Sequence, residues 1–249
     1  DAITATVTGT SATAARLNTI NGKTNVAVVA TGVQAITGDA SDVITLLTAH
    51  KADPSQITID EDYTVTVSGD VTVDQANTIV LDTAGTADFT GKITDSAASL
   101  LNGNGISTKL AAATSSTNGE GDAGANIEVT SGTVTAAQAH LIADATTGTV
   151  DFVVGISDSA TNLLNNDTIS TDLAQATGSN AGEGDDGLNI EVASGTVSVT
   201  QLNAIKGATS GTITAAISAS AEDLAGLDTG AGDAITATVT GTSATAARL

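Results

Sequence analysis

Three turns that combine glycine with acidic residues contain the side chains best suited to chemistry in this sequence. They read GEGDAGANI, GEGDDGLNI and GAGDAI, and each stands directly before a β-type stretch. Their carboxylates belong to Glu120, Asp122, Glu183, Asp185, Asp186 and Asp233. Calcium is a hard cation that binds roughly six to eight oxygen ligands, chiefly carboxylates and carbonyls. The turns are therefore candidate metal sites, with Ca²⁺ as the expected cofactor.

The same turns have a second interpretation that requires no ligand. Asp122, Asp185 and Asp233 share one position in the pattern. Each turn, however, contains fewer carboxylates than a calcium loop normally brings together. Acidic residues separated by glycine also keep a repetitive surface soluble. The sequence is compatible with both interpretations.

Motifs for catalysis are absent from the sequence. His50 and His140 occupy unrelated positions in the repeat pattern, and the chain has no cysteine. The sequence contains no GxSxG nucleophile elbow, no HExxH zinc motif and no P-loop. We therefore expect that the protein is not an enzyme.

The charge of the chain restricts its partners. Lys and Arg together number 7 against 28 Asp and Glu, which gives a formal net charge of -21. A field of that sign repels phosphate backbones and anionic lipid, so nucleic acid is not an expected partner. No apolar run is long enough to span a bilayer, so membrane insertion is not expected either.

Two alternating series of repeats organise the chain. The first series consists of strand-like stretches that end in glycine, each followed by a short helical pattern: Ile3–Gly9, Tyr63–Gly69, Asn126–Gly132, Asn189–Gly195 and Ile235–Gly241. The second series places similar strand–helix units between them, around Ile36, Ile93, Ile156 and Ile217. Alternating β-branched residues predict the strands. Residues such as Asp95 and Asp158 are expected to cap the helices that follow them.

The first seventeen residues return at the end of the chain, because Asp1–Leu17 and Asp233–Leu249 are identical. We interpret residues 1–232 as one cassette of four double repeats, about 1–62, 63–125, 126–188 and 189–232. Residues 233–249 then begin the next identical cassette. The parent protein is expected to be a long tandem array.

A strand–helix unit that repeats in this way predicts an α/β solenoid with a parallel β-sheet on one side. Its architecture would be that of leucine-rich repeats, although their sequence signature is missing. Aromatic residues make up only 1% of the chain, so the core is expected to consist of small aliphatic side chains. Phe89 and Phe152 are expected to pack there, and the glycines that precede helices are expected to supply positive φ angles or room for close turns.

The helical phrases also support a family resemblance. VTVDQANTI, VTAAQAHLI and VSVTQLNAI, followed by phrases such as TTGTV or TSGTI, resemble tandem repeats of very large adhesin-like secreted or surface proteins. Those proteins belong to cyanobacteria and other Gram-negative bacteria. The resemblance implies an extracellular, cell-surface location and a role in adhesion, coating or filament building. It carries the family's carboxylate turns over to Asp122, Asp185 and Asp233, with Glu120 and Glu183 as helpers.

Two functions follow as hypotheses. The first is a structural module of a giant bacterial surface protein that acts as a spacer, a coat or a filament-forming segment. Its partners would be copies of itself, along the repeat array or between chains. The second is a calcium-dependent adhesive module whose partners would include surface glycans.

Overall fold

The computed structural model of the protein describes residues 3–52, 55–115, 120–178 and 184–241. The chain divides into two compact units. The first unit contains the residues up to Asp95, together with Ile106–Ile127 and Ala145–Gly148. The second unit contains Ser96–Gly105, Glu128–Asp144 and the residues from Thr149 onward.

The strands are short, with two to eight residues each among the described residues. In chain order they are β1 (Ser11–Thr13), β2 (Val28–Ala30), β3 (Ala35–Asp39), β4 (Ile57–Ile59), β5 (Thr64–Ser68), β6 (Ala87–Phe89), β7 (Lys92–Ser96), β8 (Leu101–Asn102), β9 (Gly105–Ile106), β10 (Asn126–Ser131), β11 (Val150–Phe152), β12 (Ile156–Ser159), β13 (Leu164–Asn165), β14 (Thr168–Ile169), β15 (Ile190–Ser194), β16 (Ile213–Ser220) and β17 (Ala234–Thr240).

The helices are also short, and each begins at a residue whose side chain accepts a backbone N–H of the first turn. They are α1 (Ala14–Asn21), α2 (Ala40–Lys51), α3 (Val73–Val80), α4 (Ala97–Leu100), α5 (Thr108–Thr114), α6 (Ala136–Ala143), α7 (Ala160–Leu163), α8 (Thr171–Ala176), α9 (Val199–Lys206) and α10 (Ala221–Leu224). Helices α3, α6 and α9 each carry a full capping box between a Thr or Ser N-cap and a Gln three residues later. Such boxes satisfy two backbone donors at a helix start.

In the first unit, strands β1, β3, β5 and β6 form one sheet in that order. All its pairs are parallel, and the register places Ile36 beside Val65 and Val65 beside Ala87. Strands β2 and β4 form a separate parallel pair. Helix α1 packs against α2, α2 against α3, and α3 against α5.

In the second unit, strands β12, β15, β16 and β17 form a four-stranded parallel sheet in that order. Strands β13 and β14 form an antiparallel hairpin. Strand β11 is next to β10, and Val153 donates its backbone N–H to the Val129 carbonyl at 3.1 Å. Helix α6 packs against α8.

The predicted solenoid with one parallel sheet is wrong, although the α/β class is observed. Within the described residues the strands form six separate sheets of two to four strands. Four of the expected strands end at glycines with positive φ: Gly69, Gly132, Gly195 and Gly241. Beyond Gly69, Gly132 and Gly195 the parallel pairing shrinks to one isolated bridge in each case. The glycine turns the backbone out of the ladder, so the sheet does not continue into the helix-forming segment.

Small aliphatic side chains form the core, as the composition predicts. Alanine, valine, isoleucine and leucine supply most of the buried apolar residues among those that the structure describes. Phe89 and Phe152 are buried at equivalent positions, which confirms their packing role. Tyr63 is the largest fully buried side chain among the described residues, and burial holds the pKa of its hydroxyl well above the usual range.

Candidate functional site

In the turn before β10, the side-chain carboxylate of Asp122 accepts two backbone N–H groups. Asp122 accepts the backbone N–H of Phe89 on Oδ2 at 3.0 Å and that of Gly124 on Oδ1 at 2.9 Å. Glu120 contributes its backbone carbonyl, which accepts the N–H of Ala87 at 2.9 Å. Strand β6 lies at the edge of its sheet, where N–H groups lack a neighbouring strand. The turn therefore supplies the acceptors that this edge requires.

The turn before β15 repeats this arrangement in the second unit. Asp185 accepts the N–H of Phe152 on Oδ2 at 3.0 Å and that of Gly187 on Oδ1 at 2.8 Å. Burial raises the pKa of Asp185 above its ordinary value. The two hydrogen bonds oppose this rise, while the nearby charges of Asp151 and Asp186 add to it. Asp185 is therefore held by backbone donors in surroundings that disfavour its charge.

The turn before β17 adds a cation to the same pattern. Asp233 accepts the N–H of Ile213 on Oδ1 at 2.8 Å and that of Gly230 on Oδ2 at 2.6 Å. The ammonium of Lys206 lies 3.5 Å from Oδ1, and the Asp233 side chain is 2% exposed. Burial raises the pKa of Asp233, but both hydrogen bonds and the Lys206 charge outweigh it. The pKa of Asp233 consequently lies below its ordinary value.

The residues predicted as metal ligands do not converge on one point in the described part of the chain. Among the residues that the structure describes, no group of three or more His, Cys, Asp or Glu side chains is placed to hold a metal ion. Asp186 is exposed, and its carbonyl accepts the N–H of Ser210 at 2.8 Å. Glu183 lies outside the described residues. Calcium binding stays a prediction from the sequence.

Both histidines make contacts within the chain. His140 Nδ1 lies 2.6 Å from Asp172 Oδ1, and its Nε2 lies 3.1 Å from Asp144 Oδ2. His50 Nδ1 lies 3.1 Å from the carbonyl oxygen of Ile57. With carboxylates against both ring nitrogens, the His140 side chain fastens α6 to α8. This arrangement uses the hydrogen-bonding groups that a general base would need free.

Asp95 and Asp158 cap helices, but not the helices that the sequence predicts. Asp95 accepts the N–H of Val73, the first residue of α3, at 3.2 Å. Asp158 accepts the N–H of Ala136, the first residue of α6, at 3.1 Å. The helices that directly follow these aspartates have serine N-caps, Ser96 and Ser159. Each aspartate thus connects its own strand to a helix that begins 22 residues earlier in the same compact unit.

Thr-x-Gly turns, two of which lie in the phrases TTGTV and TSGTI, connect the ends of α3, α6 and α9 to residues just before an earlier strand. The hydroxyls of three buried threonines donate to backbone carbonyls 20 or 21 residues earlier: Thr83 to Tyr63, Thr146 to Ala125 and Thr209 to Leu188. Each hydroxyl also accepts the N–H of the glycine two residues later, at 2.9 Å: Gly85, Gly148 and Gly211. The regular spacing of 63 residues between these motifs was the available signal.

A cleft of about 550 Å³ lies between α6, α7 and α8 in the second unit. Its lining includes Gln138, Asp158 and Asp172. Gln138 completes the capping box of α6, Asp158 accepts the first N–H of that helix, and Asp172 contacts His140. Gln138 and Asp158 therefore hold the start of α6 in place, and Asp172 binds the His140 side chain of the same helix.

No protein family, curated protein or solved structure matches this chain. Among the described residues, no helix combines the length and the apolar character needed to cross a membrane.

Proposed function

We propose that this chain is a structural tandem-repeat module of a very large extracellular bacterial surface protein, where it serves as a spacer, a coat or a filament-forming segment. One observation carries this proposal. Asp122, Asp185 and Asp233 form the most regular polar feature of the sequence, and each accepts the backbone N–H of a strand end. A repeated polar feature that serves the fold itself is typical of a structural module.

Further features support the same proposal. His140 lies between two carboxylates and joins α6 to α8, and the cleft beside it includes Gln138 and Asp158, which bind the start of α6. The net charge of -21 favours solubility at a cell surface, and the chain has no cysteine to oxidise there. The location itself comes from the resemblance of the helical phrases to adhesin-like repeats. The expected partners are other copies of the same repeat.

Thermal unfolding of the whole chain, followed by circular dichroism in EDTA and then in millimolar CaCl₂, tests this proposal. A structural module unfolds at the same Tm in both solutions, because its turns are completed by backbone N–H groups. A rise in Tm with calcium that disappears in Asp122→Asn/Asp185→Asn would instead favour a calcium-dependent adhesive module. Asp167→Asn, which changes an exposed carboxylate outside the turns, is the matched control.

A glycan-binding screen of the same preparation separates the two functions further. The structural module gives no saturable binding with or without calcium. Saturable binding to a surface glycan that requires the turn aspartates would replace the structural proposal with the adhesive one.

A further inference from the structure

The helix pairs α3–α5 and α6–α8 occupy equivalent places in the repeat, yet their ion pairs have opposite polarity. Lys109 in the first turn of α5 contacts Asp74 of α3. The position 63 residues after Lys109 belongs to Asp172 in the first turn of α8, and Asp172 contacts His140 of α6. Helix α5 therefore contributes the cation of its pair, whereas α8 contributes the anion.

His140 stands where the equivalent helices have asparagine. Helix α3 has Asn77 at this position, and α9 has Asn203. Asn203 donates its side-chain N–H to the Gly226 carbonyl at 2.9 Å and accepts the N–H of Asp228 at 2.9 Å. An amide side chain keeps its protons over the whole pH range in which proteins fold, whereas an imidazole changes its charge near neutral pH. The exchange of asparagine for histidine therefore places a titratable group at the contact between α6 and α8.

Both ring nitrogens of His140 face carboxylates. Nδ1 lies 2.6 Å from Asp172 Oδ1, and Nε2 lies 3.1 Å from Asp144 Oδ2. An ionised carboxylate only accepts hydrogen bonds, and a neutral imidazole has one N–H donor and one acceptor nitrogen. Neutral His140 can therefore bind one of these carboxylates but presents a lone pair to the other. The imidazolium donates to both, so the observed geometry fits the protonated ring.

The elements that pack against α6 contribute carboxylates and no lysine or arginine. These elements are α7, α8 and β12. Their titratable residues are Asp172 on α8 and Asp158 on β12, and α7 has none. Asp158 accepts the backbone N–H groups of Ala136 and Ser159, so its carboxylate is already used. A protonated His140 is therefore the cation at this contact.

We propose that His140, with Asp144 and Asp172, forms a pH-dependent latch that holds α8 against α6 when the imidazole is protonated and loosens it when the proton is lost. The free energy of the contact is therefore present in mild acid and decreases as pH rises through the titration of the imidazole. Because Asp172 lines the cleft between α6, α7 and α8, the latch controls one wall of that cleft. This inference does not depend on the proposed structural function.

Hydrogen exchange of the backbone N–H groups of α8 tests the latch in the whole chain. Exchange is measured at pH 6 and pH 8.5, and each rate is compared with the rate expected for an unstructured peptide at the same pH. We expect the protection of α8 to fall about fivefold to tenfold between the two pH values, because the contact loses a charge-assisted hydrogen bond. Helix α5 is the internal control, since the lysine of its ion pair keeps its charge over this range.

Three variants identify the groups responsible. His140→Asn introduces the side chain with which the equivalent helices fold, and it should abolish the pH dependence of α8 protection. Asp172→Asn removes the carboxylate from the latch, so it should lower α8 protection at pH 6 and have a smaller effect at pH 8.5. Asp74→Asn is the matched control on the exposed pair with Lys109, and its effect on α5 should be the same at both pH values.

A second measurement follows the ring itself. ¹⁵N–¹H NMR distinguishes an imidazolium, with N–H groups on both nitrogens, from a neutral ring with one. We expect His140 to lose an N–H between pH 6 and pH 8.5, in parallel with the fall in α8 protection. Equal protection of α8 at both pH values, or a pH dependence that persists in His140→Asn, overturns the latch. A ring that loses its proton while α8 protection stays constant overturns it too, since His140 would then act only by packing.

Discussion

Two aspartate turns of the second unit share their hydrogen bonds and differ in their charge. The first, here called the acidic turn, comprises Asp185–Gly187 with Asp151 beside it. The second, here called the lysine turn, comprises Gly230–Asp233 with Lys206 beside it. In both, one carboxylate oxygen accepts an N–H from a strand end and the other accepts an N–H from the turn itself.

The pKa values of these two aspartates shift in opposite directions. The pKa of Asp185 lies above its ordinary value because burial and two neighbouring carboxylates outweigh its hydrogen bonds. The pKa of Asp233 lies below its ordinary value because its hydrogen bonds and Lys206 outweigh burial. Lys206 is the last residue of α9, and the equivalent last residue of α6 is Ala143. The repeated backbone geometry thus fixes the hydrogen bonds, while the neighbouring charges differ: Asp151 and Asp186 lie near Asp185, and Lys206 lies near Asp233.

The largest expected difference between the turns comes from the glycines that contact them. A Cβ at Gly211 would lie 2.4 Å from the Gly187 carbonyl oxygen of the acidic turn. Backbone cannot move aside easily, so Gly211→Ala is expected to destabilise the protein by about 3 kcal/mol. A Cβ at Gly230 of the lysine turn would meet the Lys206 ammonium at 2.8 Å. That flexible side chain can rotate, so Gly230→Ala should cost only about 1 kcal/mol.

Urea unfolding of the two variants measures this difference. Gly207→Ala is the control, because Gly207 has an ordinary φ of -69° and its nearest contact to a Cβ would be 3.4 Å. Equal losses in the free energy of unfolding for Gly211→Ala and Gly207→Ala would show that the acidic turn accommodates a Cβ as easily as an open helix end does.

The sequence predicts the local features of this fold, but not long-range contacts such as those of the Thr-x-Gly turns. Alternating β-branched residues and cap residues identify the short strands and helices, and the repeat pattern identifies Asp122, Asp185 and Asp233 as equivalent. These are local features of the chain. The burial of Phe89 and Phe152 also follows from their equivalent positions in the repeat.

Contacts between distant parts of the chain were not predictable in the same way. Asp185 binds a residue 33 positions earlier, and Asp95 caps a helix 22 positions earlier. The sequence shows that such an aspartate repeats, but it does not show which N–H it meets. The sheet was predicted to be continuous because the strands repeat. The positive φ angle of residues such as Gly69 ends the pairing instead.

The second prediction compares the two carboxylates directly. Asp233→Asn removes the charge beside Lys206 and replaces one acceptor with an NH₂ group that cannot bind a backbone N–H. Since the Lys206 side chain is only 17% exposed, we expect a loss of about 2 kcal/mol. Asp185→Asn loses one acceptor too but removes repulsion from two carboxylates, so we expect a loss below about 1 kcal/mol.

A double-mutant cycle tests whether Lys206 causes the larger loss of stability expected for Asp233→Asn. Lys206→Met keeps much of the aliphatic packing and removes the charge. Urea unfolding of Asp233→Asn, Lys206→Met and the double variant should show that the two losses are not additive. Lys109→Met is the control, because its ion pair with Asp74 is solvent-exposed on both sides. Additive losses at Asp233 and Lys206 would remove the lysine from the explanation.

The smallest effect concerns pH, and its sign differs between the turns. The folded-state pKa of Asp233 is lowered, so its contribution is present above the unfolded pKa and is lost as pH falls through the folded one. The loss in the free energy of unfolding caused by Asp233→Asn should therefore be smaller in acid.

The folded-state pKa of Asp185 is raised, so the folded protein binds this proton more tightly than the unfolded chain does. Stability linked to Asp185 therefore increases as pH falls through that raised pKa. Asp185→Asn should consequently become more destabilising relative to the unmodified chain in acid, the reverse of Asp233→Asn. Urea unfolding of both variants from pH 7 down to pH 3 measures the two slopes. Slopes of the same sign would mean that the hydrogen bonds shared by the turns, and not the side chains around them, control the protonation of both aspartates.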